Sequence, residues 1–333
     1  MFEHGYALLI GVDQNRTPNL ALPTVKKDVT KLKEVLTHPD RCGYLEENVR
    51  VVTGMGATRD KILDGLDWLR DKVAADKDQN QTALVYYSGH GHREGSGESF
   101  FIPYDVRFPI RTGALPAKDF AEILADINPR RLFVILDCCH AEGMNVKDAS
   151  AQHVASAAVT KETPGMGRLA EGDGRVILSS SRGTQQSWIR SDGEMSVFTY
   201  HLAEALIGHA GRPAEPDVTV TEVMDYVARS VPKTAREQHD AEQQPFFQYS
   251  GSSFPIALVI GGKGIAKGMT PPDPLAELPH VKATMNLKEL EGEATNVDID
   301  EMNRGNLEAN AAGETIREGG KFTNLKINKL GKR

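Results

Sequence analysis

Leu84-Val85-Tyr86-Tyr87-Ser88-Gly89-His90-Gly91-His92 begins as an apolar and aromatic run and ends on a histidine set between two glycines. Such a run reads as a strand, and the flanking glycines leave the imidazole exposed at its carboxyl end. The design returns at Leu132-Phe133-Val134-Ile135-Leu136-Asp137-Cys138-Cys139-His140, where the group at the strand end is a thiol. In an open α/β sheet ligands bind beyond the carboxyl ends of the strands, so two such strands side by side would bring imidazole and thiol together.

Similar short runs, Tyr6 to Val12, Val49 to Thr53, Ala83 to Ser88 and Val176 to Ser179, alternate with segments of helical spacing. Val25, Val29, Leu32 and Leu36 recur at three to four residues, as do Ile62, Leu66, Leu69 and Val73; Phe120, Ile123, Leu124 and Ile127 make a shorter stripe. Strand and helix in alternation predict an α/β fold, a mostly parallel central sheet with helices on both faces. Further on, Phe198, Leu202 and Leu206 suggest another helix. Thr219-Val220-Thr221-Glu222 has the form of a capping box opening a helix through Val223, Tyr226 and Val227, and Phe254 to Ile260 would add a last strand.

Two stretches break the rhythm. Residues 143–173 are small, polar and glycine-rich, which predicts a long mobile loop and a region for processing. After residue 260 the composition changes again. Gly261-Gly262 and Pro271-Pro272-Asp273-Pro274 mark a linker over 261–284, and residues 285–333 read either as a small β-rich regulatory or interaction segment or as a disordered tail. The expected division is therefore a domain over 1–260, the linker, and a C-terminal appendage.

The 333 residues carry a formal net charge of -7, which disfavours capture of nucleic acid or anionic membrane. Neither a signal peptide nor an apolar span long enough for a membrane is visible, so the cytoplasm is the expected compartment. Cys42, Cys138 and Cys139 are odd in number and two are neighbours, which argues for reduced thiols. A thiol with an ordinary pKa of about 8.5 needs a base or cation beside it to become a nucleophile, and an imidazole supplies the activation and later a proton for the leaving group.

Ser88-Gly89-His90-Gly91 and Asp137-Cys138-Cys139-His140, in that order and spacing, resemble the dyad motifs of caspases and, more closely, of metacaspases and prokaryotic caspase homologues of the orthocaspase type. Tyr6 to Asp13 resembles the first strand of that family, Phe101 to Asp105 its hairpin after the histidine, Val176 to Ser181 the strand bordering its substrate groove, and Gln244-Pro245 its closing segment. The resemblance spans about residues 5–260. It implies a caspase-like three-layer α/β/α sandwich and a cysteine endopeptidase with Cys139 as nucleophile and His90 as base and later acid. It also implies an oxyanion site from the backbone N–H groups of Gly91 and Cys139. Cys138 stands where metacaspases often have serine.

By the same resemblance Asp28, in Thr24-Val25-Lys26-Lys27-Asp28-Val29, and Asp137 line the S1 pocket, which implies Arg or Lys before the scissile bond. The alternatives are that Asp28 alone is an ordinary exposed helix acid and that Asp137 is a structural cap. Asp105 is expected to hold the hairpin, His92 and His140 to support the site or face solvent, and Trp188 and Ser179 to Ser181 to wall the groove, with core packing an equal alternative for Trp188. Asp119 and Asp148 are too few for calcium, which takes six to eight oxygens, so no metal or other cofactor is expected. Lys147, Lys161, Arg168 and Arg175 are possible self-cleavage sites. The expected partners are a protein or peptide substrate and an activating protein. The competing readings are a catalytically silent caspase-fold scaffold and a general cysteine hydrolase acting on a small amide.

Overall fold

The computed structural model describes residues 2–139 except 40, 79 and 95; 173–258 except 183, 184 and 211–216; residue 275; and the strands 282–285, 293–299, 308–311 and 321–327. Residue 139 is described through its backbone. The chain divides into two compact units, Met1–Pro271 and Pro272–Arg333.

In the first unit, β1 (Gly5–Gly11), α1 (Pro23–Thr37), β2 (Val49–Thr53), α2 (Arg59–Ala75) and β3 (Thr82–Arg93) open the fold. β4 (Ser99–Phe101), β5 (Leu115–Pro116), α3 (Ala117–Asp126), β6 (Arg131–Cys139) and β7 (Arg175–Ser179) follow. α4 (Val197–Glu204), β8 (Asp217–Thr219), α5 (Val220–His239), β9 (Phe246–Ser250) and β10 (Pro255–Leu258) complete it. The central sheet has the order β2-β1-β3-β6-β7-β9, parallel throughout except for β9 at one edge.

Alternation along the strands separates two cores. Leu84, Tyr86, Phe133 and Ile135 face α1, α4 and α5 in one apolar cluster, whereas Val85, Tyr87, Val134, Leu136 and Cys138 face α2 and α3 in the other. Burial on both faces is what covering helices give a parallel sheet, and it explains why these strands read as continuous apolar runs. The result is a three-layer α/β/α sandwich. Among the described residues no helix is long and apolar enough to cross a membrane.

The strands extend beyond the expected runs. β3 continues through His90 to Arg93 because its last three residues pair antiparallel with Ser99–Phe101. Thr219 and Glu222 form the expected capping box, with Thr219 N donating to the Glu222 carboxylate at 2.9 Å. The run expected over Phe254 to Ile260 forms β10, but it pairs with β8 outside the main sheet. β9 escaped sequence reading: it is an edge strand whose alternate residues are more exposed, so its pattern lacks the apolar density of the central strands. The loop expected over 143–173 lies outside the described residues except Asp173, and with it Lys147, Asp148, Lys161 and Arg168. The linker at 261–284 is likewise outside them, apart from residue 275 and its last three positions.

Arg175 corrects one expectation. It is the first residue of β7 rather than part of a loop, and its guanidinium donates to Pro129 O at 2.8 Å and Asn128 Oδ1 at 3.1 Å. A protease needs an extended, accessible segment, so this arginine is poorly placed for cleavage.

Candidate active site

The two motif strands lie side by side. β3 and β6 pair in parallel with Ser88 opposite Asp137, Gly89 opposite Cys138 and His90 opposite Cys139. Neighbouring strands are about 4.8 Å apart, so the sheet brings the expected histidine and cysteine into lateral register at its carboxyl edge. Strand alternation sets 137 and 139 on one parity and 138 on the other. Cys138 is accordingly 1% exposed, within the apolar cluster containing Tyr87, Leu136 and Phe120. Cys42 is also buried, and burial pushes its thiol above the ordinary range. Both of these thiols are buried.

The backbone of His90 is anchored. Its carbonyl accepts from Ile102 N at 3.1 Å and from the Tyr87 hydroxyl at 3.1 Å, tying the end of β3 to the segment after β4. His90 itself is buried at 3% exposure. A Cβ added at Gly89 would approach the Tyr87 oxygen to 3.0 Å and Val12 Cβ to 3.1 Å, so a side chain there would crowd the contacts that hold the histidine. Gly91 stands opposite Phe101 in the β3–β4 pair. His92 is buried near Phe100, which removes the solvent-facing alternative for it; His140 lies outside the described residues.

Beneath this edge is a buried acidic centre. Asp137 is fully buried, and its Oδ1 accepts from Ser187 Oγ at 2.7 Å while Oδ2 accepts from Ser196 Oγ at 2.6 Å and Thr199 Oγ1 at 2.9 Å. Asp28 is 1% exposed on the buried stripe of α1, between Val25 and Leu32, and accepts from Ser196 N at 3.0 Å. The exposed-acid reading of Asp28 is thereby corrected: the helix period that buries Val25, Val29 and Leu32 also turns position 28 inward. Burial, with the nearby charge of Asp137, raises the Asp28 carboxyl well above its ordinary range against the opposing hydrogen bond from Ser196 N.

Ser196 therefore joins both acids, and it does so as the N-cap of α4, accepting from Thr199 N at 2.9 Å. Thr199 Oγ1 gives its proton to Asp137, so the Tyr86 hydroxyl 2.7 Å away donates to Thr199. Behind Ser187, Gln243 Nε2 donates to Ser187 Oγ and to Ser180 O, both at 3.1 Å, and Gln243 Oε1 accepts from Trp188 N at 2.9 Å. Sequence reading missed Tyr86, Ser187, Ser196, Thr199 and Gln243. Only Ser196, a capping residue directly before the apolar Val197-Phe198, carried a usable local signal.

Removing that cap is expected to be costly. Ser196→Ala would abolish a helix cap and one donor to a buried carboxylate, lowering unfolding free energy by about 1–3 kcal/mol. Urea denaturation checks it; a loss under about 0.5 kcal/mol, the range of ordinary surface substitutions, would contradict the linking role.

Other expected residues take structural positions. Asp105 Oδ1 accepts from Arg59 N at 2.9 Å, holding the start of α2 rather than the hairpin alone. Trp188 is half-buried and stacks on His239 with ring centroids 4.6 Å apart. Ser179, Ser180 and Ser181 are buried where β7 leaves the sheet. Asp119 lies in the first turn of α3, and among the described residues no three His, Cys, Asp or Glu side chains cluster as metal ligands would.

A family model described as the caspase domain matches residues 4–253. The crystal structure of caspase-1 from Spodoptera frugiperda is similar, with a TM-score of 0.46 at 13% identity over 80% of this chain and 92% of that one. No curated protein sequence matches the chain. The family match takes in both motif strands, both buried acids and α4, and extends over about three quarters of the 333 residues: the chain belongs to the caspase-domain family of cysteine peptidases.

Proposed function

We propose that the chain is an endopeptidase that cleaves after Arg or Lys through Cys139 and His90. The observation that carries this reading is the convergence on Ser196 of two buried carboxylates, Asp28 and Asp137, the second of them two residues before Cys139 on the strand that sets it opposite His90. A guanidinium or ammonium is the complement of two buried acids, whereas an acidic side chain would meet repulsion and an apolar one would leave the carboxylates without a counter-charge.

The steps follow from the groups. His90 takes the Cys139 thiol proton, and the sulfur adds to the scissile carbonyl while the N–H groups of Gly91 and Cys139 receive the developing oxyanion. Collapse expels the amine with the proton held on His90 and leaves a thioester. Water, deprotonated by His90, then releases the acid and regenerates the thiol. Processing within 143–173 or an activating protein would control access to this edge.

Fluorogenic peptides varied only at the residue before the cut test the assignment. Arg and Lys peptides are expected to exceed Asp and Leu peptides by about 10²-fold or more in kcat/KM, the range for loss of a charged partner in a buried site. Comparable turnover of the Asp or Leu series would remove the basis for basic specificity.

A further inference from the structure

The second unit repeats itself. Thr295-Asn296-Val297-Asp298-Ile299 recurs as Thr323-Asn324-Leu325-Lys326-Ile327, and the offset between these segments is the one that pairs the strands carrying them. β12 (Glu293–Ile299) and β14 (Lys321–Ile327) are parallel, with Thr295 opposite Thr323, Val297 opposite Leu325 and Ile299 opposite Ile327. β11 (Lys282–Met285) and β13 (Glu308–Ala311) are also parallel, with Ala283 opposite Ala309. Two parallel pairs whose members alternate along the chain have the wiring of two successive solenoid coils: β11 and β12 form coil one, β13 and β14 coil two. The period lies within the range of about 20–50 residues typical of such repeats.

Among the described residues there are two coils. A solenoid repeat buries its apolar side only against neighbours on both sides, and three or more are needed for stability. Among the described residues each of the four strands has one partner, so on its other edge no described strand pairs with it, and such an edge is the kind that templates another strand.

The charges indicate what fits those edges. Lys282 stands opposite Glu308, Glu293 opposite Lys321 and Asp298 opposite Lys326. All three positions are of opposite sign between coil one and coil two. A second copy that set its coil one on the open edge of coil two, in the same register, would repeat all three complementary pairings together with the Thr, Val/Leu and Ile steps. Coil one set on another coil one in that register would oppose Glu293 to Glu293 and Asp298 to Asp298, and like charges directly opposite one another repel.

We propose that the C-terminal unit is a stacking module through which this chain associates head to tail with a second copy of itself, coil two of one on coil one of the next. The association is heterologous, so it propagates into open chains or closes into rings. It is independent of the cleavage chemistry proposed above.

Sedimentation velocity of the full chain over a concentration series tests it. The expected result is a mass that rises with concentration and falls as salt screens the charges. Lys321→Glu with Lys326→Glu should weaken association by about tenfold or more, because two attractive cross-strand pairs become repulsive. That variant could also loosen its own two coils. The full exchange E293K/D298K/K321E/K326E restores opposite signs at both positions within the chain, and it should associate with itself while excluding differently labelled wild type. A wild-type chain that stays monomeric throughout, a charge-reversed pair that associates as the wild type does, or an exchanged variant that stays monomeric or mixes freely with wild type would each overturn the proposal.

Discussion

Cys139→Ala is expected to abolish hydrolysis of Arg and Lys peptides, lowering kcat by at least about 10³-fold, since removal of a covalent nucleophile leaves only binding and oxyanion contributions. The neighbouring substitution makes the comparison informative. Cys138 is packed among Tyr87, Leu136 and Phe120 on the opposite face of β6, so Cys138→Ala should keep turnover within a few-fold and instead cost about 1 kcal/mol of stability for the sulfur left out of a packed core. Active-site titration with an alkylating peptide, together with urea denaturation of both variants, separates the outcomes. If Cys138→Ala were inactive and Cys139→Ala active, the register argument would fail, because only a slipped β6 could exchange the faces of the two thiols.

That register was partly legible beforehand. The apolar runs before His90 and Cys139 identify two strands, and their endings in chemically active residues place the site at the carboxyl edge of the sheet. The runs cannot say that β3 and β6 are neighbours, or that His90 falls opposite Cys139 rather than one residue away; those facts depend on the whole strand order. The acidic centre was less legible. Asp28 lies at a buried helical position among Val25, Val29 and Leu32, but a carboxylate there becomes interpretable only when its partner is known. The partners Ser187, Ser196 and Thr199 lie 50 to 62 positions after Asp137, with Gln243 further on behind Ser187, and apart from the capping position of Ser196 such single polar residues have no periodicity to reveal them. β9 was missed for a related reason, since an edge strand with alternating exposure offers a much weaker apolar signal than a central parallel one.

Asp28→Asn should change pH dependence in two opposite ways. In the unliganded protein burial first, and the charge of Asp137 second, raise the Asp28 carboxyl, so the folded chain holds a proton there that the unfolded chain releases at lower pH. Stability from this group is therefore present below the unfolded carboxylate range and is lost as pH rises through the raised folded value. A bound Arg or Lys side chain favours the ionised form, so kcat/KM for basic peptides should rise over the same interval in which the unliganded protein weakens. Asparagine keeps an acceptor for Ser196 N, which lies 3.0 Å from Asp28 Oδ1, but cannot ionise. The variant should be more stable than wild type on the alkaline side of that interval, lose about 10²-fold in kcat/KM for Arg peptides, and show no pH rise attributable to the pocket. Thermal unfolding and kcat/KM profiles measured on the same buffers check both limbs. An unchanged activity profile with altered stability would leave Asp28 as a buried strut beside Asp137, whereas movement of both profiles in opposite directions would identify the titrating acid as the group that meets the substrate cation.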